Sequence, residues 1–438
     1  MKIHYSSFSI FCILAFALSQ KQSFAQAPLM TPEDAVALAL GANFDIRISQ
    51  ANADIAQLNN TKGNAGMLPS VNFVANDNFT LSAFQQKLSN GNEFNAVGAP
   101  FNNANAGVQL AWTLFDGRRM NIVKSRLEQL EALGNLELQS MVQTTVANVL
   151  LLYYDVVRGM LSERALSEVI VLNEERLRIA EARLAAGFAA QTDALQARID
   201  LNQRRADLLL QQTFTTANKR SLNRLLARLP ETQFSVVETL ATNYAPARSA
   251  ILEKMIAQNP TLLSFQKSAE ISALMVQENR TLGKARLTGI TQLNVVRADN
   301  GAGFLLNNTQ AGVLVGASLV VPLYTGGNVK RQVETAKVAA EQAHLRVEQQ
   351  RLFIETELEN QLANLQVQQQ IMTIEEESVK AARENLSVST ERFRVGTTTG
   401  LEPQIAQNSL EQALDRRNQV LYQLKLAELR LKLLAGEL

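Results

Sequence analysis

Two stretches of this chain read alike at a constant offset of 209 residues, which limits it to folds built from two copies of one rigid unit. Leu114-Phe115-Asp116-Gly117 is answered by Leu323-Tyr324-Thr325-Gly326. Further on, Arg183-Leu184-Ala185-Ala186-Gly187 is answered by Arg392-Phe393-Arg394-Val395-Gly396. Between and beyond these anchors Glu175 matches Glu384, Leu177 matches Leu386 and Leu201 matches Leu410. A spacing kept without insertion predicts rigid elements, because flexible loops tolerate length changes. The repeat is too long and too few in number for a solenoid, so the expectation is a duplicated domain with its halves side by side.

The N-terminus reads as an export signal. Lys2 gives a positive start, Phe8 to Leu18 are apolar, and Ser23-Phe24-Ala25 places small residues for cleavage before Gln26. The single cysteine, Cys12, lies in the segment to be removed, so residues 26–438 hold neither disulfide nor thiolate metal site. Loss of Lys2 and Lys21 leaves 40 basic against 41 acidic groups, which gives no electrostatic reason to expect nucleic acid. Nothing after residue 25 reaches the roughly 18 uninterrupted apolar residues of a transmembrane helix. A membrane role would have to be carried by strands.

Proline is absent from residues 101–229 and 323–402, windows rich in strong helix formers. Leu138, Val142, Thr145, Val149 and Leu152 step by four and three, as do Val329, Val333, Ala336, Ala340, Ala343 and Val347. That spacing is a coiled-coil seam, with alanines permitting close approach. A helix from Arg118 to Leu184 would run about 100 Å. Each rod ends at a glycine, Gly187 or Gly396, able to take the left-handed turn that stops a helix. A second helix follows, opened by Asp193 or Glu402 at the positive end of its dipole. Each half therefore holds a long antiparallel hairpin.

Ahead of each rod the period falls to two. Val108, Leu110, Trp112 and Leu114 alternate with Gln109, Ala111, Thr113 and Phe115, and Val313, Val315, Ala317, Leu319 and Val321 form one face in the second half. Strand segments are expected at about 70–80 and 106–116, and at about 288–297 and 311–324, joined by long polar loops over 80–106 and 298–311. Strands of this length suit an outer-membrane barrel. Four of them cannot close alone, so several chains would share one barrel. The domain plan is a signal peptide at 1–25, a first repeat at 26–230 with its hairpin at 118–229, and a second at 231–438 with its hairpin at 327–435. Each repeat opens on a shorter helical pair. Thr31-Pro32-Glu33-Asp34 starts the first, Asn43 and Asn259 mark turns, Leu68-Pro69-Ser70 ends the second helix, and 230–246 reads as the linker.

Residues able to carry chemistry are few. His344, the histidine left after cleavage, sits in a rod, and Glu375-Glu376-Glu377 reads as a solvated helix face. No nucleophile elbow, P-loop or metal-ligand spacing occurs, so the expectation is no catalytic residue, no metal, no cofactor and no enzyme.

The two L-[FY]-x-G segments after a strand, and the tips RLAAGFAAQTD (183–193) and RFRVGTTTGLE (392–402), make the sequence resemble the TolC family of outer-membrane efflux proteins. The resemblance runs in the family's order over nearly all of residues 26–438. It implies a mainly helical fold with a membrane β-barrel portion: a homotrimer whose coiled-coil hairpins form an α-barrel and whose strands share a 12-stranded barrel. It implies a passive channel-tunnel in outer-membrane lipid, extending into the periplasm, with a periplasmic adaptor (membrane fusion protein) and an inner-membrane transporter as partners. Arg183, Gly187, Arg392 and Gly396 correspond to tips that dock adaptor hairpins. Glu402, with Asp193 as its first-repeat counterpart, corresponds to the periplasmic aperture. The family's second acidic position falls at Ile405, and Pro403 departs from its usual aliphatic residue. The alternatives are a periplasmic coiled-coil adaptor and a structural protein without a pore; neither needs four alternating strands.

Overall fold

The computed structural model describes residues 28–240, 244–303 and 305–438, so the expected signal peptide, with Cys12, lies outside the described residues. The chain is mostly helical, in the order β1 (Leu29–Met30), α1 (Pro32–Ala42), α2 (Phe44–Asn59), β2 (Ser70–Lys87), β3 (Glu93–Phe115), α3 (Arg119–Ala185) and α4 (Gln191–Leu225). There follow β4 (Ser235–Val236), α5 (Arg248–Gln258), α6 (Pro260–Thr281), β5 (Arg286–Asn300), β6 (Asn307–Val320), α7 (Asn328–Val395) and α8 (Leu401–Ala435). The 67 and 68 residues of α3 and α7 give each helix a length of about 100 Å. No described helix is long and apolar enough to cross a membrane.

Two compact units divide the elements. One comprises the described parts of Met1–Ala42, Asn148–Thr242 and Gln368–Leu426. Its helical seams are built as the heptads require: Val379 and Leu386 of α7 pack on Ala406, Leu410, Ala413 and Leu414 of α8. Thr31 and Asp34 close a capping box on α1, with Asp34 N–H donating to Thr31 Oγ1 at 3.1 Å and Thr31 N–H to Asp34 Oδ2 at 3.0 Å. The bond from Thr31 N–H, joined by one from the Thr31 hydroxyl to the same Oδ2, holds the Asp34 carboxyl below its ordinary range. Within the stretch expected as a linker, β4 pairs in parallel with β1, and Phe234 beside it is buried. The pair is pinned by Tyr153, fully buried, whose hydroxyl donates to Met30 O at 2.9 Å and accepts from Val237 N–H at 3.1 Å.

The other unit comprises Asn43–Ala147, Asn243–Val367 and Ala427–Leu438. Asn43 caps α2 and Asn259 caps α6, each side chain accepting from backbone N–H groups of the first turn. The helix α2 ends at Asn59 rather than running on to Leu68. Asn60 caps it, and Asn64 donates from its amide to Asn59 O at 2.9 Å, so local side-chain bonds replace the helical ladder.

The unit's sheet is an antiparallel meander in the order β2-β3-β5-β6, leaving one edge each of β2 and β6 without a strand partner among the described residues. The register puts the two faces in contrast. Phe73, Val108, Leu293 and Val313 fall in one cross-strand row, and Asn72, Gln109, Gln292 and Leu314 in the adjacent row on the opposite face. The second face continues with Asn76 opposite Asn105, whose amides bond at 3.3 Å.

The polar stretches expected as loops are largely strand, since β2 reaches Lys87 and β3 begins at Glu93. Asparagine reads as a loop former, but here alternate asparagines line one face and pair across the hairpin. One more reading is adjusted: Glu375 is buried and accepts from Arg416 Nε at 2.9 Å, whereas Glu376 and Glu377 are exposed. His344 is exposed.

Replacing Tyr153 with Phe leaves Met30 O and Val237 N–H without their shared partner, at a cost of about 1–3 kcal/mol. The thermal midpoint of the Y153F protein, followed by circular dichroism, should fall; an unchanged midpoint would show that the pin contributes nothing.

Candidate functional site

The two hairpin tips have the same backbone. Gly187 takes φ 75° and Gly396 φ 85°. In the first tip Gly187 N–H donates to Leu184 O at 3.0 Å and Phe188 N–H to Arg183 O at 2.8 Å. In the second, Gly396 N–H donates to Phe393 O at 3.2 Å and Thr397 N–H to Arg392 O at 3.0 Å. This paired closure satisfies carbonyls that the last helical turn leaves open, and the positive φ favours glycine.

The side chains break that symmetry. Arg183 bridges the two tips, and its Nη1 donates to Phe393 O at 2.8 Å. Its guanidinium lies 4.9 Å from the centre of the Phe393 ring, and Nη2 donates to Phe188 O at 3.3 Å. Arg183 also approaches Gly396, where an added Cβ would stand 3.8 Å from Nη2. Arg392 stays within its own tip, donating from Nη1 to Glu402 Oε1 at 2.6 Å, while Thr398 Oγ1 bonds the other carboxylate oxygen. Glu402 is therefore tied both to the last turn of α7 and to the connection that precedes it. Asp193 shares neither contact; it lines a separate cleft with Gln196, Asp200, Phe393 and Gln404.

Residues that sequence reasoning passed over hold the tips together. Phe393, 1% exposed, packs on Ile179 and Ala180 of α3 and on Ala194 and Ala197 of α4. One turn away from these, Arg176 is buried against Asp200, whose carboxylate also accepts from Gln196 Nε2 at 2.8 Å and Gln404 Nε2 at 2.9 Å. Burial lowers the Arg176 pKa, and the Asp200 bond opposes that loss. A second tie runs from Arg394 to Glu175 at 3.4 Å. Bonds from Arg178, with Arg394 adding, hold the Glu175 carboxyl below its ordinary range. The sequence did carry one signal for Arg176: it occupies a seam position in the run Val169, Asn173, Arg176, Ala180, all of them buried. A buried charge there requires a partner.

Among the described residues no group of acidic, histidine or cysteine side chains is arranged to hold a metal. What the tips show is a polar surface, hydrogen-bonded across two hairpins and anchored by one aromatic ring. Arg183→Ala removes the bonds to Phe393 O and the cation–π contact together, while Arg183→Lys keeps only a point charge. Both variants should open the segment 396–400 to limited proteolysis several-fold faster. Equal cleavage rates in the variants and the parent protein would dismiss Arg183 as the clasp.

The family model described as outer membrane efflux protein matches residues 35–228 and 253–437. The outer membrane efflux protein BepC of Brucella suis is 24% identical over 314 residues, covering 69% of this chain and 66%, just under two thirds, of that protein. The outer membrane protein TolC of Salmonella enteritidis is 23% identical over 448 residues, covering 99% of this chain and 84% of that one. Among solved structures, the outer-membrane channel OprN superposes with a TM-score of 0.80 at 19% identity, over 93% of this chain and 90% of its own. With the family model spanning both repeats, this chain belongs to the outer membrane efflux protein family.

Proposed function

We propose that this chain forms a homotrimeric outer-membrane channel-tunnel, in which three four-stranded sheets close one 12-stranded barrel. The observation that carries this reading is the sheet, apolar on one face and amide-bearing on the other, with open edges at β2 and β6. Unpaired backbone groups at a sheet edge are not tolerated in hydrocarbon, so a lipid-facing sheet of this kind needs partners at both edges. The meander places β2 and β6 in opposite directions, so β6 of one copy can pair antiparallel with β2 of the next. The apolar face then meets lipid and the amide face water, as in other barrels.

The sequence repeats, 26–230 and 231–438, are on this reading two copies of an ancestral half, and their long helices form the wall of a periplasmic tunnel. Substrate passes passively, with energy supplied by an inner-membrane transporter through a periplasmic adaptor. The tips at Arg183, Gly187, Arg392 and Gly396 are the adaptor's contact. Asp193 and Glu402 line the periplasmic aperture, where the link between Glu402 and Arg392 acts as a latch on the second tip.

Two measurements test this. Detergent-extracted protein should have the mass of a trimer and give a small, mostly closed conductance in planar bilayers; a monomer that needs no detergent and never inserts would sink the reading. Glu402→Ala should raise basal conductance and weaken block by divalent cations. An unchanged current would remove Glu402 from the aperture while leaving the channel standing.

A further inference from the structure

At the base of the four-stranded sheet lies a cleft of about 540 Å³ that neither the barrel nor the tips account for. The end of β3, the start of β5, the first turns of α3 and the end of α6 supply its walls. Four cationic side chains line it, Arg119, Arg126, Lys284 and Arg286, against two carboxylates, Asp116 and Glu278. Glu278 is shared by Arg119 at 3.1 Å and Arg126 at 3.0 Å. Asp116 is turned to the start of α3, where Oδ2 accepts from Met120 N–H at 2.9 Å. Lys284 and Arg286 make only long bonds to neutral oxygens, 3.3 Å to Gly117 O and 3.4 Å to Thr113 Oγ1. The cleft thus carries two positive charges in excess.

Its direction follows from the strand register. Arg286 is paired with Val320 and Thr113 with Thr288, rows that belong to the same face as Gln109 and Gln292. The cleft therefore opens on the amide-bearing side. Above it, that face carries no charged side chain: the rows from Ser70, Ala111, Ile290 and Gly316 up to Asn78, Asn103, Ala298 and Asn308 are neutral throughout. Segments 116–126, 278–286 and 328–337 beside the sheet together hold ten basic and three acidic residues, so the surroundings add to the field.

We propose that this cleft binds phosphate-bearing solutes inside the pore, one site per chain, and makes the base of the barrel attractive to anions. Guanidinium forks at Arg119 and Arg286 suit a planar or tetrahedral oxyanion, and Lys284 adds a mobile point charge. The site rests on the barrel reading for its access from the pore, and on its own residues for its chemistry. The same phosphate chemistry is offered by lipid headgroups, but the cleft faces away from the apolar side of the sheet.

The test uses the full-length protein with pyrophosphate as probe. Calorimetry in an uncharged detergent should show binding that weakens about tenfold or more in the K284Q/R286Q variant and survives in K284R/R286K, as loss of charge-assisted bonds requires. Absence of binding to the parent protein, or equal binding to all three, overturns the site whether or not the protein conducts. In phosphatidylcholine bilayers, pyrophosphate added on the barrel side should reduce the current, and K284Q/R286Q should need about tenfold more for the same block. No current at all would count against the barrel reading and leave calorimetry to decide the site. Repeating the block in bilayers rich in phosphatidylglycerol separates the two phosphate sources: block that persists supports a pore site, and block that disappears shows the cleft filled by headgroups and overturns it.

Discussion

Everything distinctive about this chain follows from the need to satisfy backbone hydrogen bonds at the edges of a sheet that has one apolar face. A soluble protein would bury that face under helices. Here Phe73, Phe79 and Val313 remain more than 60% exposed in the single chain, and the helices that follow the strands run on as rods. In lipid the apolar face is satisfied, but the open edges are then intolerable without neighbours. The rods meet a similar demand: alanine-rich seams bury part of their apolar surface within one chain, while Leu345, Leu352 and Phe353 on α7 stay exposed. Copies of the chain offer one answer to both deficits.

Much of this was legible in the sequence because it depends on period and punctuation. The rods, their stopping glycines, the capping residue Thr31, the turns at Asn43 and Asn259, and the two-residue alternation each reflect local physics. Reading failed where composition and environment disagree. The asparagines of β2 and β3 look like loop formers, yet amide side chains on a water-facing strand lose nothing by being extended. The end of α2 falls short of Leu68 because Asn60 caps the helix through its backbone N–H to Gln57 O, and Asn64 bonds back to Asn59 O and Thr61 Oγ1, a quieter signal than Pro69. Glu375 looks like a surface charge in a rod, and only the packing of another helix reveals that it is buried with a partner. The tip residues Arg183 and Arg392 were found by the repeat. Their unequal partners were not, because a repeat predicts equivalence.

That inequality is instructive in itself. The two tips share one backbone closure. The surrounding chemistry differs: Arg176 and Asp200 of the first hairpin stand opposite Asn385 and Ser409 in the offset alignment. The buried ion pair is thus confined to the first hairpin, and Gln404 of α8 is joined to it. The first tip is a braced support, and the second carries the turn held by its own Glu402 and Arg392.

The pin at Tyr153 bears on the order in which the chain can assemble. Its hydroxyl joins Met30, 123 residues earlier, to Val237, 84 residues later. Strand β1 has only β4 to pair with among the described residues, so residues 29–30 have no strand partner until residues 235–236 are in place. Contacts of such long range slow the search for the native state. The whole of α3 and α4 lies between the two strands in sequence, so closing the pair gathers the first long hairpin into one loop of the chain.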